Sequence, residues 1–213
     1  MYMPAHFEET DQRKVRDLMN ARPLAALVAH TPGGLVANHV PVLLRDDEQL
    51  IGHVALANEL HTVLDAGQEV LLIFRGEDSY VSPNWYPSKA QHHRHVPTWN
   101  YQVAHVHGRI SFQHDEQSKR AAVALLTRHH ESMTNGQHAW KMSDAPADFM
   151  AEMLAGIVAF RIAVDRIVAK SKLSQNREPG DRAGVVDSLE NSGKAELARS
   201  MRGLASPSNR LQQ

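Results

Sequence analysis

The run from Tyr101 to Phe112 alternates too regularly for a helix: Ala104, Val106, Gly108, Ile110 and Phe112 share one face, and His105, His107 and Arg109 share the other. Such a strand sets one side against a core and the other toward a polar surface. Leu24 to His30, Leu35 to Leu44 and Gln49 to Ala57 are further strand-like runs. Pro32-Gly33-Gly34 and Arg45-Asp-Asp-Glu48 separate them, which is the punctuation of an antiparallel meander.

Glu69 to Arg75 reads as a buried strand, followed by a turn at Gly76-Glu-Asp78 and a second strand at Ser79 to Ser82. Pro83 to Pro97 reads as a loop, because Pro83, Pro87 and Pro97 each remove a ladder donor. Val158, Phe160, Ile162 and Val164 alternate with Ala159, Arg161, Ala163 and Asp165 as a last strand. Helices are expected from an N-cap at Thr10, over Glu59 to Ala66, from Asp115 to about Glu131, and from Pro146 to about Gly156. The sum is about seven strands and four or five helices, most strands following one another directly. A mainly β, α+β class follows: a small antiparallel barrel with peripheral helices over residues 1–169, then a polar, helical tail over residues 170–213.

Composition narrows the partners. With 213 residues, 42% of them hydrophobic, the chain can bury a sizeable core. Lys and Arg number 23 against 24 for Asp and Glu, so any contact with DNA must come from a local basic patch. Cysteine is absent, which removes disulfides, thiolate zinc sites and cysteine nucleophiles. The opening residues lack a signal-peptide pattern, and Phe149 to Ala169 is interrupted by Glu152, Arg161, Asp165 and Arg166. A cytoplasmic protein without a membrane span is expected.

No Gly-x-Gly-x-x-Gly, Gly-x-Ser-x-Gly, His-Glu-x-x-His or P-loop motif occurs, so no catalytic residue is assigned. Tyr80-Val-Ser-Pro-Asn-Trp-Tyr-Pro-Ser-Lys89 gathers groups that suit a flat ring carrying a phosphate. Ser82, Ser88 and Lys89 would meet the phosphate, and Trp85 or Tyr86 would cover the ring; on composition alone an aromatic-anchored loop with an exposed lysine is the favoured reading. His92-His-Arg-His95 lacks partnered carboxylates at fixed spacing, so no metal site is assigned. His105 and His107 line either a groove, an interface or a solvent edge. The tail stretches Asp181 to Glu190 and Lys194 to Met201 have a helix-turn-helix outline, but an amphipathic docking helix has the same composition and is the favoured reading.

Five strings then occur in order: Met1-Tyr-Met-Pro-Ala-His-Phe7; Gly52-His-Val-Ala55 with Asn58; Tyr80-Val-Ser-Pro-Asn-Trp-Tyr86; Val96-Pro-Thr-Trp-Asn-Tyr101 with Val106-His107; and Lys172-Leu-Ser-Gln-Asn-Arg177. Together they resemble the PaiB family, from Met1 to about Leu189. The resemblance implies an FMN-binding split barrel similar to pyridoxine-phosphate oxidase-like proteins, a homodimer with flavin at the subunit interface, and the label of negative transcriptional regulator. It implies that His53, Ala55 and Asn58 together with Tyr80, Ser82, Trp85, Ser88 and Lys89 hold the phosphate and ribityl chain. Trp99 and Asn100 belong to the same set, and Lys172, Gln175, Asn176 and Arg177 would lie near the cofactor or the partner subunit. Leu56 stands where these flavoproteins often carry a basic residue, which shifts the expected phosphate contact onto Lys89. Two alternatives from the resemblance are an FMN-dependent oxidoreductase acting on a small-molecule substrate and a haem-handling relative using a histidine ligand.

Overall fold

The computed structural model describes residues 1–45 and 48–204; the last nine residues of the expected tail and two of the Arg45 to Glu48 turn lie outside the described residues. Strands occupy Leu24–Thr31 (β1), Gly34–Leu44 (β2), Gln49–Ala55 (β3), Gln68–Val81 (β4), Thr98–Gln113 (β5) and Ile157–Lys172 (β6). They close into a barrel in the order β1-β2-β3-β6-β5-β4. The β1–β2, β2–β3, β3–β6 and β1–β4 pairs are antiparallel. Helices occupy Gln12–Ala21 (α1), Leu60–Val63 (α2), Lys89–His92 (α3), Glu116–Thr134 (α4), Ala147–Ala155 (α5), Pro179–Asn191 (α6) and Ala195–Arg202 (α7).

The expected mainly β, antiparallel barrel is what the chain forms, with six strands among the described residues rather than about seven. The difference is one turn. Gly76-Glu-Asp78 does not reverse the chain but continues β4. Glu77 is tolerated in an extended strand because its carboxylate accepts a hydrogen bond from the Leu197 N–H at 2.8 Å and faces the Lys194 ammonium at 3.9 Å. The last strand also runs further than its alternation suggests, through Lys170 to Lys172, and the Pro83 to Pro97 segment winds into a short 3-10 turn at Pro83–Trp85 and the single turn of α3.

The described residues form two compact units. A barrel unit comprises Arg13–Phe74 and Ala104–Val168, and a second unit comprises Met1–Gln12, Arg75–Val103 and the chain from Ala169. In the barrel unit the inward positions of alternate strand residues are filled by Leu27, Leu50, Leu72, Val106, Ile110, Phe160 and Ile162, all buried. Gly52 stands opposite Phe160 in the β3–β6 register, and a Cβ there would lie 2.4 Å from the phenyl ring. The missing side chain is what lets that ring fill the barrel. Asp115 caps α4 by accepting from the Ser118 N–H at 2.8 Å, and α4 packs on β2, β3 and α5.

In the second unit α6 and α7 bury Val185, Val186, Leu189, Leu197, Ala198 and Met201 against Val81, Tyr86 and Leu173. Full burial of each Leu, Val or Met stabilises by about 1.5–3 kcal/mol, so this contact is a core and not a loose appendage. Gly184 sets how closely α6 approaches: a Cβ there would sit 2.2 Å from the Trp85 carbonyl oxygen. The two tail helices are docking helices of their unit. Apart from the buried Asp181, their inward residues are apolar, and Arg202 of α7 is paired with Glu190.

Candidate functional site

Strand period places Lys170 and Lys172 on the same side of β6, because residues two apart face the same way. The Lys170 ammonium, in a residue only 7% exposed, lies 5.6 Å from the Tyr2 ring, 5.8 Å from Phe7 and 5.6 Å from Tyr101, and donates to the Tyr2 carbonyl at 3.2 Å. Such a cage stabilises a cation through the ring faces without neutralising it. The Lys172 ammonium donates to the Trp99 carbonyl at 2.8 Å and to the Thr98 hydroxyl. Among the described residues it has no carboxylate partner. Burial pushes its pKa down, and the Lys170 and Arg177 charges push it further in that direction. Lys170 and Lys172, with Arg177 near enough to act on Lys172, gather positive charge that an anion at Lys172 would relieve.

Beside them are two flat, accessible rings. Tyr80 is 46% exposed and Trp99 is 52% exposed, with centroids 6.3 Å apart in an edge-to-face arrangement. An exposed indole whose own carbonyl anchors a half-buried ammonium joins an apolar ring face to a cationic group. This donor set fits a planar ring system bearing a phosphate, the chemistry of FMN.

Several other expected residues are used inside the protein. Ser88 donates its N–H and its hydroxyl to Asp181 at 3.1 and 2.7 Å, and the same hydroxyl meets His95 Nε2 at 2.7 Å. Burial pushes the Asp181 carboxyl up, but the Ser88 hydrogen bonds, with His95 and Arg177 nearby, outweigh it and hold the group below its ordinary range. Arg177 lies over the Tyr86 ring at 5.0 Å and faces His95 Nδ1 at 3.5 Å. Burial raises the pKa of the buried Tyr86 hydroxyl, and Arg177 and Ser174, the polar side chains beside it, act against that rise without making a well-formed hydrogen bond. Asn100 is fully buried, donating to Ser174 Oγ at 3.0 Å and accepting from it at 3.2 Å. Gln175 closes its own turn, accepting from the Leu173 N–H and donating to the Ser171 carbonyl. Ser82 accepts from the Asn84 N–H at 3.2 Å, and Lys89 donates to the Asn84 side chain. Trp85 packs partly buried against the helical core, and Asn176 is exposed.

In the barrel unit, Asn58 donates to Asn38 Oδ1 at 2.8 Å and accepts from the Leu60 N–H at 3.0 Å, which ties the start of α2 to β2. Ala55 is exposed and pairs with Ile157. His53 differs: its Nδ1 is buried without a partner, and burial lowers its pKa, so it stands as a neutral imidazole with one unused polar atom. Of the two β5 histidines, His107 Nδ1 faces Arg166 at 3.2 Å and Glu69 at 3.7 Å. His105 is half-buried, and that burial lowers its pKa.

Lys170, Thr98, His95, Asp181 and Ser174 complete these arrangements and were not singled out from the sequence. Lys170 alone had a sequence signal, its two-residue offset from Lys172 on one strand. His95 was legible only as part of a histidine tract.

Residues 1–166 match the family described as "Putative FMN-binding domain". The chain is 30% identical over 194 residues to "Protease synthase and sporulation protein PAI 2" of Bacillus subtilis, covering 90% of each chain. It is 29% identical over 230 residues to the uncharacterized protein AN0679 of Emericella nidulans, covering 91% of this chain and 92% of that one. Among solved structures it is similar to the flavocytochrome Anf3 from Azotobacter vinelandii, with a TM-score of 0.59 and 15% identity over 85% of this chain and 78% of that one. The FAD and haem binding protein from Mycobacterium smegmatis gives a TM-score of 0.55 and 18% identity over 78% and 73%. At these identities the structural likenesses show the fold.

Proposed function

This chain belongs to the PaiB-type family of FMN-binding split-barrel proteins and takes a flavin cofactor, and on that premise we propose that it is a flavin-dependent negative regulator working as a homodimer. The observation that carries the reading is the group of cations at Lys170, Lys172 and Arg177, without a carboxylate on Lys172, beside the exposed rings of Tyr80 and Trp99. Lys172 holds the phosphate, Arg177 adds a second positive charge, and Trp99 covers the ring. Lys170, fixed in its cage of three rings, keeps the local potential positive. Flavin, when bound, supplies redox chemistry; the chain supplies position and charge.

A second copy is supported by the outer face of the barrel unit. Ala26 pairs with Ile73 and Val28 with Leu71 across β1 and β4, all on the side away from the buried Leu27 and Leu72, and the exposed Leu24 and Leu35 extend the apolar area. Leu197, Ala198 and Met201 of α7 are buried and Arg202 pairs with Glu190, which supports docking rather than DNA reading for this helix.

The protein as purified should be yellow with flavin absorbance bands, and it should elute at about twice its 23.8 kDa chain mass. A colourless monomer that ignores added FMN would overturn both readings. Binding its own upstream DNA no more tightly than random duplex would remove operator recognition while leaving the flavin assignment intact.

A further inference from the structure

On α4, Ala124, Thr127, Arg128, Glu131 and Ser132 follow the i, i+3, i+4, i+7, i+8 spacing of one helical face. They do not include the buried Ala122 and Leu126 that hold the helix to the barrel unit. This separate face and the segment Ala139 to Ser143 enclose a cavity of about 430 Å³, within the range that small-molecule sites occupy. Its far wall is fixed. Glu131 Oε2 accepts from the Trp140 N–H at 2.8 Å and from the Asn135 side-chain amide at 2.7 Å, which ties the segment to the helix.

The lining combines two chemistries. Trp140, Met142, Ala124 and Ala139 are apolar, and the small side chains of the two alanines leave the space open. Arg128 and Lys141 bring a guanidinium and an ammonium with no carboxylate partner among the described residues, while the one carboxylate in the lining, Glu131, is engaged as the clamp. Two uncommitted cations lining one cavity with an indole and a thioether match a flat apolar body with one anionic end.

We propose that this cavity is a binding site for a small aromatic carboxylate, with the carboxylate on Arg128 and Lys141 and the ring against Trp140 and Met142. The site belongs wholly to the barrel unit and uses none of the residues assigned to flavin.

The test uses the full chain with 4-fluorobenzoate, observed by fluorine NMR, and its neutral counterpart 4-fluorobenzamide. Binding of the acid at low-millimolar concentration or tighter is expected, with the amide at least about tenfold weaker, since a charge-assisted contact is lost. The Arg128→Ala/Lys141→Ala double variant should lose about tenfold or more, and Ala124→Leu, which fills the cavity without changing charge, should lose binding as well. Lys119→Ala, on the same helix outside the lining, should bind as the parent does. Thermal unfolding of each variant shows whether it is folded, and the charge variants and the cavity-filling variant reach the same question independently. Equal binding of acid and amide, full binding by the folded double variant, or no binding to the parent would overturn the proposal. FMN affinity should be unchanged throughout, so failure here is distinguishable from failure of the flavin reading.

Discussion

Replacing Asp181 by alanine removes the acceptor on which the Ser88 to His95 segment depends. The carboxylate, in a residue 2% exposed, accepts from the Ser88 N–H and from the Ser88 hydroxyl, with His95 Nε2 at 3.6 Å. A hydrogen bond to a charged acceptor contributes about 1.5–3 kcal/mol, and truncation also leaves the Ser88 donors without their buried partner. The expected loss is therefore about 3–5 kcal/mol of unfolding free energy near neutral pH. The pH dependence gives a second check. Because the folded carboxyl is held below its ordinary value of 3.8, its contribution is fully present above that value and fades as pH falls through the folded one. Urea unfolding of parent and Asp181→Ala, followed by far-UV circular dichroism from about pH 7 down to about pH 3.5, should show a gap that is flat to about pH 4 and then narrows. A gap under about 1 kcal/mol near neutrality would refute the accounting.

Gly184→Ala should lower stability by about 1–3 kcal/mol, since its Cβ would meet the Trp85 carbonyl oxygen and Pro87, while Gly180→Ala on the same helix meets nothing within 4 Å and should be neutral or slightly stabilising; equal melting temperatures for the two would contradict the packing of α6. Tyr86→Phe removes a buried hydroxyl that makes no hydrogen bond, so its unfolding free energy should stay within about 0.5 kcal/mol of the parent or rise; a loss above about 1.5 kcal/mol would mean the hydroxyl is bonded. The site built on Lys172, Arg177 and Trp99 does not include Lys89, so Lys89→Ala should leave FMN affinity nearly unchanged in a flavin titration, and a large loss would return the phosphate to the Tyr80 to Lys89 loop.

The barrel was legible because its strands carry a period-two signal that survives without tertiary information, as Ala104, Val106 and Ile110 of β5 show. Polar residues misled where their partners lie far along the chain. Glu77 read as a turn residue because its partners, Leu197 N and Lys194, come some 120 positions later. Lys170 read as the start of a polar tail because nothing local announces a cage built from Tyr2, Phe7 and Tyr101. In the candidate site, several residues with ligand-binding chemistry are bonded within the protein. Asn100, Gln175 and Ser88 have the chemistry to bind a ligand, and the fold uses that chemistry on Ser174, Ser171 and Asp181. Lys172 is set apart from Lys89 by its burial beside Lys170 and Arg177, a grouping that only the fold creates.

The central claim is that flavin is held through Lys172. The measurement that tests it most directly is an FMN titration of the parent and of Lys172→Met, which keeps the aliphatic length and removes the charge. The parent should saturate at one flavin per chain, and the variant should bind about tenfold or more weakly, the loss expected for one charge-assisted phosphate contact. Equal affinities, or a parent chain that leaves the flavin spectrum unchanged at every concentration, would contradict it.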